Sequence, residues 1–219
     1  MDENILNSAL YPSLKNKIVL ITGGASGIGS SIVENFCYQQ SKVVFFDIDD
    51  NLASQVVDHN IKSYKNKPIY IKCDLTNTNQ LIKTIKTIKK DIGDIAILIN
   101  SAANDKRHEM SSVTSEYWDD RINVNLKHFF FAAQTCAEMM KKNRAGTIVN
   151  LGSFSWMMGL GGMICYTTAK SAVSGLTRSL ARELGEYNIR VNCVVPGWIM
   201  TYRQLTHWVT PEVKKQQLE

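Results

Sequence analysis

Two features of membrane and secreted proteins are missing from this sequence. No apolar run approaches 18 residues, and no charged-then-apolar leader opens the chain. We therefore expect neither a membrane span nor secretion. The five cysteines are odd in number, widely spaced and without a C-x-x-C motif. This pattern predicts reduced thiols in a cytoplasmic protein and argues against a disulfide framework or a bound metal.

The charge pattern gives little reason to expect a nucleic-acid partner. The net charge of +5 is modest and is spread along 219 residues. In the basic stretch 81–90 the isoleucines fall three apart with lysines on the other side, which is typical of a solvated helix face. No linker, repeat or low-complexity stretch divides the chain, so its length predicts a single domain over residues 1–219. We expect its partner to be a small molecule.

Short runs rich in valine and isoleucine alternate with helical stretches along the chain. Helices are predicted from the glycine-rich turn to Phe36, over about 77–91 and 115–142, and from Tyr166 onward. Such alternation implies parallel strands joined by right-handed crossovers. The sequence therefore predicts an α/β fold, a Rossmann-type doubly wound parallel sheet. Its six strands are expected at residues 17–21, 42–47, 69–74, 95–99, 146–151 and 190–195.

A glycine-rich turn follows the first predicted strand directly. Residues 22–29, with the sequence TGGASGIG, join this strand to a helix. Glycines let the backbone approach a pyrophosphate, and the helix N-terminus offers free N–H groups and the positive end of its dipole. No Gly-Lys-Ser/Thr closes the turn, which argues against a Walker-type loop.

The second predicted strand ends in an acidic residue, Asp47, eighteen positions after Gly29. A carboxylate here can accept hydrogen bonds from both ribose hydroxyls of adenosine and would repel a 2′-phosphate. A helix-capping or surface role is the alternative for Asp47. No arginine or lysine occurs at positions 23–29, so the sequence favours NAD over NADP.

Tyr166 and Lys170 lie four positions apart in a predicted helix, and Ser153 precedes the tyrosine by thirteen. Residues at i and i+4 project from one helix face. An ammonium beside a phenol favours the phenolate, so we expect the pKa of Tyr166 to be lowered and the tyrosine to accept protons near neutral pH. An exposed tyrosine and a solvated lysine are the alternative for an isolated pair of this kind.

These motifs together resemble the short-chain dehydrogenase/reductase superfamily, over essentially the whole chain from about residue 11. The resemblance implies a catalytic tetrad of Asn125, Ser153, Tyr166 and Lys170. On the positions that match, it also implies cofactor contacts from Gly23, Ser26, Gly27, Ile28, Gly29, Asp47, Asp74, Leu75, Asn100, Ala102, Tyr166, Lys170, Pro196, Gly197, Ile199 and Thr201.

Several longer segments are similar to bacterial aldose 1-dehydrogenases, including residues 11–15, 104–108, 117–126 and 152–156. This similarity implies hydride transfer from the C1 hydroxyl of an aldose to NAD, with a lactone as product. A dehydrogenase or reductase of another alcohol or ketone, and a non-catalytic dinucleotide-binding protein, remain alternatives. Residues that could bind the sugar, but could equally be surface or loop-packing residues, are Asn104, His108, Ser155, Trp156 and Tyr202.

The sequence departs from the family pattern in two places. The turn usually written Asn-Asn-Ala-Gly is Asn-Ser-Ala-Ala at 100–103, where Ala103 demands a more restricted backbone than glycine. We expect a small adjustment there. Relatives also usually continue beyond a position matching Glu219 into a seventh strand that joins a tetramer interface. We therefore expect residues 190–195, which read as a two-sided buried strand, to be a bare edge. The family pattern implies a homo-oligomer, a tetramer or dimer, for full-length relatives. We expect the 219-residue chain to be less stable than a longer form and not to form the usual tetramer.

Overall fold

One parallel sheet of six strands organises the computed structural model, which describes residues 9–210. Its spatial order is β3-β2-β1-β4-β5-β6, and every adjacent pair is parallel. The strands are β1 (Ile18–Thr22), β2 (Lys42–Asp47), β3 (Ile69–Lys72), β4 (Ile97–Asn100), β5 (Gly146–Leu151) and β6 (Ile189–Val194). The strand order reverses between β1 and β4, which is where doubly wound sheets bind ligands. The predicted fold class and all six strands are confirmed.

Helices connect successive strands, and polar side chains cap several of them. The Asp49 carboxylate accepts hydrogen bonds from the amides of Asn51 and Leu52, which satisfies donors that a helix start leaves free. The helices are α1 (Gly27–Tyr38), α2 (Asp50–Tyr64), α3 (Thr78–Asp91), α4 (Ser115–Ile122), α5 (His128–Asn143), α6 (Ile164–Leu184) and the short α7 (Tyr202–His207).

The stretch expected to be helical over 115–142 is not one regular helix. A π-helical turn, Asn123–Lys127, separates α4 from α5. Within it the Asn125 side chain donates a 3.0 Å hydrogen bond to the carbonyl oxygen of Arg121, one turn back. A side chain that competes for a helical carbonyl in this way disturbs the regular backbone pattern. The widened turn lies directly against the cleft described below.

Two hydrophobic layers cover the sheet. On one face, Leu20 and Leu98 pack with Ile85 of α3, and with residues of α5 and α6. On the other face, Ile21 and Phe45 pack with residues of α1 and α2. Burying each such side chain is worth about 1.5–3 kcal/mol, so these layers are the main source of stability. The runs of valine and isoleucine are explained by central strands that are buried on both faces.

The last strand, β6, lies at the edge of the sheet and pairs with β5 among residues 9–210. Its burial alternates, because Ile189 and Val191 face the layer containing α6 whereas Val194 is half exposed. The expectation of an edge strand is confirmed, but the expectation that this strand is buried on both faces is wrong. In the described chain, α6 covers one of its faces.

Within residues 9–210 no helix is long and apolar enough to cross a membrane. The same part of the chain contains no group of three or more His, Cys, Asp and Glu side chains suited to a metal ion. All five cysteines lie among the described residues and are free thiols.

Candidate active site

A cavity of about 950 Å³ opens at the carboxyl ends of the strands, at the point where their order reverses. Its wall is formed by the glycine-rich turn, by the loops after β2, β3 and β4, and by the segments that follow β5 and β6. Fifteen of the sixteen predicted cofactor-contact residues lie in this wall, from Gly23 in the first turn to Thr201 near α7. These scattered sequence motifs therefore meet at one site.

The glycine-rich turn has backbone geometry that side chains would disturb. Gly23 has φ +70°, and a Cβ there would lie 2.7 Å from the Cα of Ala102 on the next loop. A Cβ at Gly29 would collide with the carbonyl of Gly23. Ser26 precedes α1 without placing its side chain on the first amides of the helix. These amides therefore face an anion site of the kind that suits a pyrophosphate.

Asp47 braces the same turn from the end of β2. One carboxylate oxygen accepts a 2.9 Å hydrogen bond from the amide of Ala25, and the other accepts from the amides of Ile48 and Asp49. The carboxylate is therefore fixed at the cleft wall next to the phosphate-binding turn. The sequence predicts a contact with the adenosine ribose from this carboxylate. Together with the uncapped helix amides, it fits a nicotinamide dinucleotide.

Asp74 lies on the cleft wall after β3 with the buried Leu75 beside it. One oxygen of Asp74 accepts hydrogen bonds from both the amide and the hydroxyl of Thr76, at 2.9 and 2.7 Å. The loop is thereby held in one shape. Both residues line the same cleft as Asp47, and the sequence predicts that Asp74 lies near the adenine ring.

Asn100, predicted to contact the cofactor, is fully buried behind the cleft wall. Its amide nitrogen donates to the side-chain oxygen of Asn150 at 2.9 Å, and its own side-chain oxygen has no hydrogen-bond partner. The loop after it is fixed by Thr22, whose hydroxyl accepts from the amides of Ser101 and Ala102. Asn100 thus supports the wall from behind.

Ala103 lines the cleft where relatives carry glycine. It is not among the residues with positive φ, so alanine fits this backbone without left-handed strain. The expectation of a small adjustment agrees with this geometry.

Ser153 and Tyr166 lie together at the inner end of the cleft. The Ser153 hydroxyl is 2.9 Å from that of Ser155, and it also forms a hydrogen bond that lowers the pKa of Tyr166. Burial has the larger effect, however, and raises the pKa of Tyr166 above its ordinary value. The expectation of a lowered tyrosine pKa is wrong for this arrangement.

Lys170 is the group that the sequence predicts to lower the pKa of Tyr166. The lysine is 1% exposed, and burial lowers its pKa to about 7, so its own positive charge is weakened near neutral pH. Its ammonium donates a 2.7 Å hydrogen bond to the Leu151 carbonyl and lies 5.7 Å from the centre of the Tyr166 ring. The predicted pairing on one helix face is nevertheless present, and both side chains line the cleft.

Asn125, the fourth predicted catalytic residue, is buried and does not line the cleft. Its side-chain oxygen accepts from the amide of Asn104 at 2.8 Å, and its nitrogen donates to the Asn104 and Arg121 carbonyls. The Asn125 side chain therefore joins the π-helical turn to the loop after β4. Only its backbone remains for a role in proton transfer.

The five predicted sugar-binding residues are divided by the structure. Asn104, Ser155 and Tyr202 line the cleft, but His108 and Trp156 do not. The His108 ring accepts a 3.4 Å hydrogen bond from the amide of Cys165 and packs on Tyr117, so it supports the start of α6. The alternatives that the sequence allowed were a surface residue for His108 and a loop-packing aromatic for Trp156, and the structure has both side chains half-buried.

Sequence reasoning missed a charged group at the outer end of the cleft. Asp105, Arg107 and Arg203 line the wall together with Trp198 and Gln204. Asp105 is 98 and 99 positions away in sequence from its hydrogen-bond partners Arg203 and Gln204, so no local spacing identifies this group. The only local signal is that the first two fall inside the segment 104–108 that resembles aldose dehydrogenases.

Comparison with known proteins agrees with this geometry. The family model for short chain dehydrogenases matches residues 17–208. A D-xylose 1-dehydrogenase of Caulobacter vibrioides is 46% identical over 211 residues, which are 96% of this chain and 83% of that protein. A Rhizobium meliloti protein described as a "probable galactose dehydrogenase" is 38% identical over 94% of this chain and 81% of its own length.

More distant relatives share the fold but are named for other substrates. A 3-oxoacyl-acyl-carrier-protein reductase of Thermotoga maritima is 35% identical over 86% of this chain and 76% of its own length. The crystal structure of gox2181 superposes with a TM-score of 0.85 at 25% identity, covering 92% of this chain and 79% of that one. The chain belongs to the short-chain dehydrogenase/reductase family, whose members are oxidoreductases that act on CH–OH groups with NAD or NADP.

Proposed function

We propose that the protein oxidises the anomeric hydroxyl of an aldose with NAD and releases a lactone. The observation that carries this proposal is the meeting of Ser153, Tyr166 and Lys170 in one cleft, which Asp105, Arg107 and Arg203 also line. The two relatives named for xylose and galactose support the choice of a sugar, since they are 46% and 38% identical over nearly the whole chain.

In this proposal Tyr166 accepts the proton of the sugar hydroxyl. Ser153 donates a hydrogen bond to the reacting oxygen, and its contact with Ser155 fixes the direction of its hydroxyl. NAD supplies the acceptor for the hydride when it is bound. The phenolate needed for oxidation becomes more abundant as pH rises. Burial raises the pKa of Tyr166 and therefore moves this rise to higher pH.

Lys170 holds the cofactor and passes the proton onward. Its hydrogen bond to Leu151 fixes the ammonium beside the Tyr166 ring, and a pKa near 7 lets it gain and lose a proton at working pH. The backbone of Asn125, in the widened π-helical turn, is a suitable next acceptor on a water path to solvent. The pKa of Lys170 and the position of the Asn125 backbone thus suit the steps assigned to these two groups.

The preference for NAD is proposed from Asp47. Its carboxylate is anchored by three amides beside the phosphate-binding turn, so it cannot move away from a 2′-phosphate without losing these bonds. A fixed negative charge at this position accepts hydrogen bonds from ribose hydroxyls and repels NADP.

A substrate screen tests the proposed function. Purified protein is mixed with NAD or NADP and with xylose, galactose, glucose and arabinose, or with secondary alcohols that are not sugars, and NADH absorbance is followed. We expect turnover of at least one aldose with NAD, and a product that hydroxylamine traps as a hydroxamate, as it does a lactone. Turnover of non-sugar alcohols alone would replace the sugar assignment. Cofactor binding without turnover of any alcohol would favour a non-catalytic dinucleotide-binding protein.

A further inference from the structure

The loop after β4 and the segment after β6 are joined across the outer end of the cleft. One carboxylate oxygen of Asp105 accepts a 2.9 Å hydrogen bond from Arg203, and the other accepts a 2.7 Å hydrogen bond from Gln204. Both donors belong to α7, 98 and 99 positions away in sequence. A single side chain therefore fixes two neighbouring residues of this short helix.

Two further contacts strengthen the same junction. The Trp198 indole donates a 2.9 Å hydrogen bond to the side-chain oxygen of Gln204. The Arg107 guanidinium lies 5.1 Å from the centre of the Trp208 ring, within cation–π range. Because α7 has only six residues, it is too short to be stable by its own backbone hydrogen bonds. Its position over the cleft depends on these contacts.

Asp105 is suited to hold this junction because it is charged and mostly covered. Its side chain is 15% exposed. Burial alone would raise its pKa, but the hydrogen bonds from Gln204 and Arg203 outweigh this effect and lower it. The carboxylate is therefore ionised at neutral pH, and both of its hydrogen bonds are charge-assisted.

Asp105 also acts on the catalytic tyrosine. Its negative charge raises the pKa of Tyr166, and the positive charge of Arg107 lowers it. The other groups that face the phenol are Ser153, through its hydrogen bond, and Lys170, 5.7 Å from the ring centre. A residue that only supported α7 from a distance would not affect the proton affinity of Tyr166.

We propose that Asp105 is a positioning residue that holds α7 over the substrate end of the cleft and restricts the site to small polar substrates. A long apolar chain leaving the cleft would have to break the bonds of Asp105 to α7 and lie against a buried charge. A sugar held beneath α7 would offer its hydroxyls to the polar side chains of Asp105, Arg107 and Gln204, which line the cleft. This inference rests on the alcohol oxidation proposed above.

Substitutions on both sides of the junction between Asp105 and α7 test this proposal. Asp105→Ala removes the carboxylate, whereas the double variant Arg203→Met with Gln204→Met removes its partners and keeps the charge. Steady-state kcat and KM are measured with the aldose that the wild type accepts and with a long-chain secondary alcohol. We expect either change to raise KM for the aldose about tenfold or more, the effect of losing roughly 1.4 kcal/mol of binding. We also expect a smaller effect on kcat and improved relative use of the long alcohol.

The pH profile separates positioning from general support of the fold. Asp105→Asn keeps the size of the side chain but removes its charge, so we expect the rise of kcat with pH to move to lower pH. Arg107→Ala is expected to move it to higher pH. The double variant of α7 keeps the Asp105 charge. It should raise KM without moving the rise of kcat to lower pH, which is the shift expected for Asp105→Asn.

Asp94→Asn is the matched control, because the Asp94 carboxylate accepts a hydrogen bond from Asn143 and does not line the cleft. The kinetics of this variant should equal those of the wild type. Retained NADH binding shows that each variant is folded. Unchanged KM in Asp105→Ala, or an unchanged pH profile in Asp105→Asn, would overturn the inference. Failure of the wild type on every aldose would overturn the proposed sugar oxidation, which is a separate result.

Discussion

Lys170 donates a 2.7 Å hydrogen bond to the carbonyl oxygen of Leu151, the last residue of β5. The strand end thereby fixes an ammonium that is 1% exposed beside Tyr166 and over the ring of Phe129. Burial lowers the pKa of this lysine to about 7, which is useful for proton transfer but unfavourable for folding. Burial of Lys170, proposed above as a catalytic residue, therefore reduces the stability of the fold.

Replacing Lys170 by methionine is expected to stabilise the protein and abolish catalysis. In the unfolded chain the lysine pKa is near 10.5, so the folded state binds fewer protons between pH 7 and 10.5. Stability of the wild type therefore rises with pH across this window, and the variant lacks that rise. At pH 7 we expect Lys170→Met to raise the free energy of unfolding by about 1–4 kcal/mol.

Urea denaturation at pH 7 and pH 9 measures both effects on stability. Lys127→Met, at an exposed position of the π-helical turn, is the control and should change stability by less than about 0.5 kcal/mol. A Lys170→Met variant less stable than the wild type at pH 7 would show that the bond to Leu151 outweighs the cost of burying the charge.

Tyr166→Phe removes the proton acceptor but keeps the ring that packs beside Lys170. We expect turnover to fall by at least about a hundredfold with cofactor binding largely retained, as is usual for a general acid–base group. The wild type should also become faster as pH rises, since burial raises the pKa of Tyr166, and the variant should lose this dependence. Tyr187→Phe, far from the cleft, serves as control. Near-normal turnover in Tyr166→Phe would show that Tyr166 is not the proton acceptor.

Local patterns were enough to predict the sheet and the centre of the site. The motifs around Gly23, Asp47 and Tyr166 each lie within one strand, turn or helix, so their spacing in sequence fixes their spacing in space. The junction of Asp105 with Gln204 is different, because it brings together residues 99 positions apart. Such a contact depends on the assembled fold, and no periodicity predicts it.

The burial of individual side chains also could not be predicted from the sequence. The i, i+4 spacing correctly placed Lys170 beside Tyr166, but it gave no measure of how deeply either group is buried. Burial reverses the expected direction of the Tyr166 pKa. Similarly, the roles of His108 and Asn100 depend on which side of the cleft wall each side chain faces, and residue type alone does not reveal this.

Asp47→Ser is expected to relax the preference for NAD over NADP. The change removes both the acceptor for ribose hydroxyls and the charge that repels a 2′-phosphate. We expect the ratio of kcat/KM for NAD to that for NADP to fall about tenfold or more, equivalent to roughly 1.4 kcal/mol. The matched control is Asp49→Ser, because Asp49 caps α2 and lies outside the cleft wall. Asp49→Ser should leave the ratio unchanged. An unchanged ratio in Asp47→Ser would show that Asp47 does not contact the ribose.

The ring of His128 packs against Phe129, whose ring lies under the ammonium of Lys170, and neither His128 nitrogen has a hydrogen-bond partner. The backbone of Asn123 is near enough to oppose a fall in the pKa of His128, but the contact does not meet hydrogen-bond geometry. Burial, helped by the charge of Lys170, lowers this pKa from 6.5 to about 3. His128 therefore stays neutral in the folded protein while it gains a proton in the unfolded chain.

This difference gives the protein an acid sensitivity that can be assigned to His128. As pH falls from 6.5 towards 3 the unfolded state binds one more proton, so stability is lost by up to about 1.4 kcal/mol per pH unit, or about 2 kcal/mol at pH 5. We expect His128→Leu to remove that part of the slope when unfolding free energies are compared at pH 7 and pH 5. His207→Gln, at an exposed position, should keep the wild-type slope. A His128→Leu variant with the full wild-type slope would mean that other groups, such as carboxylates, carry the acid sensitivity.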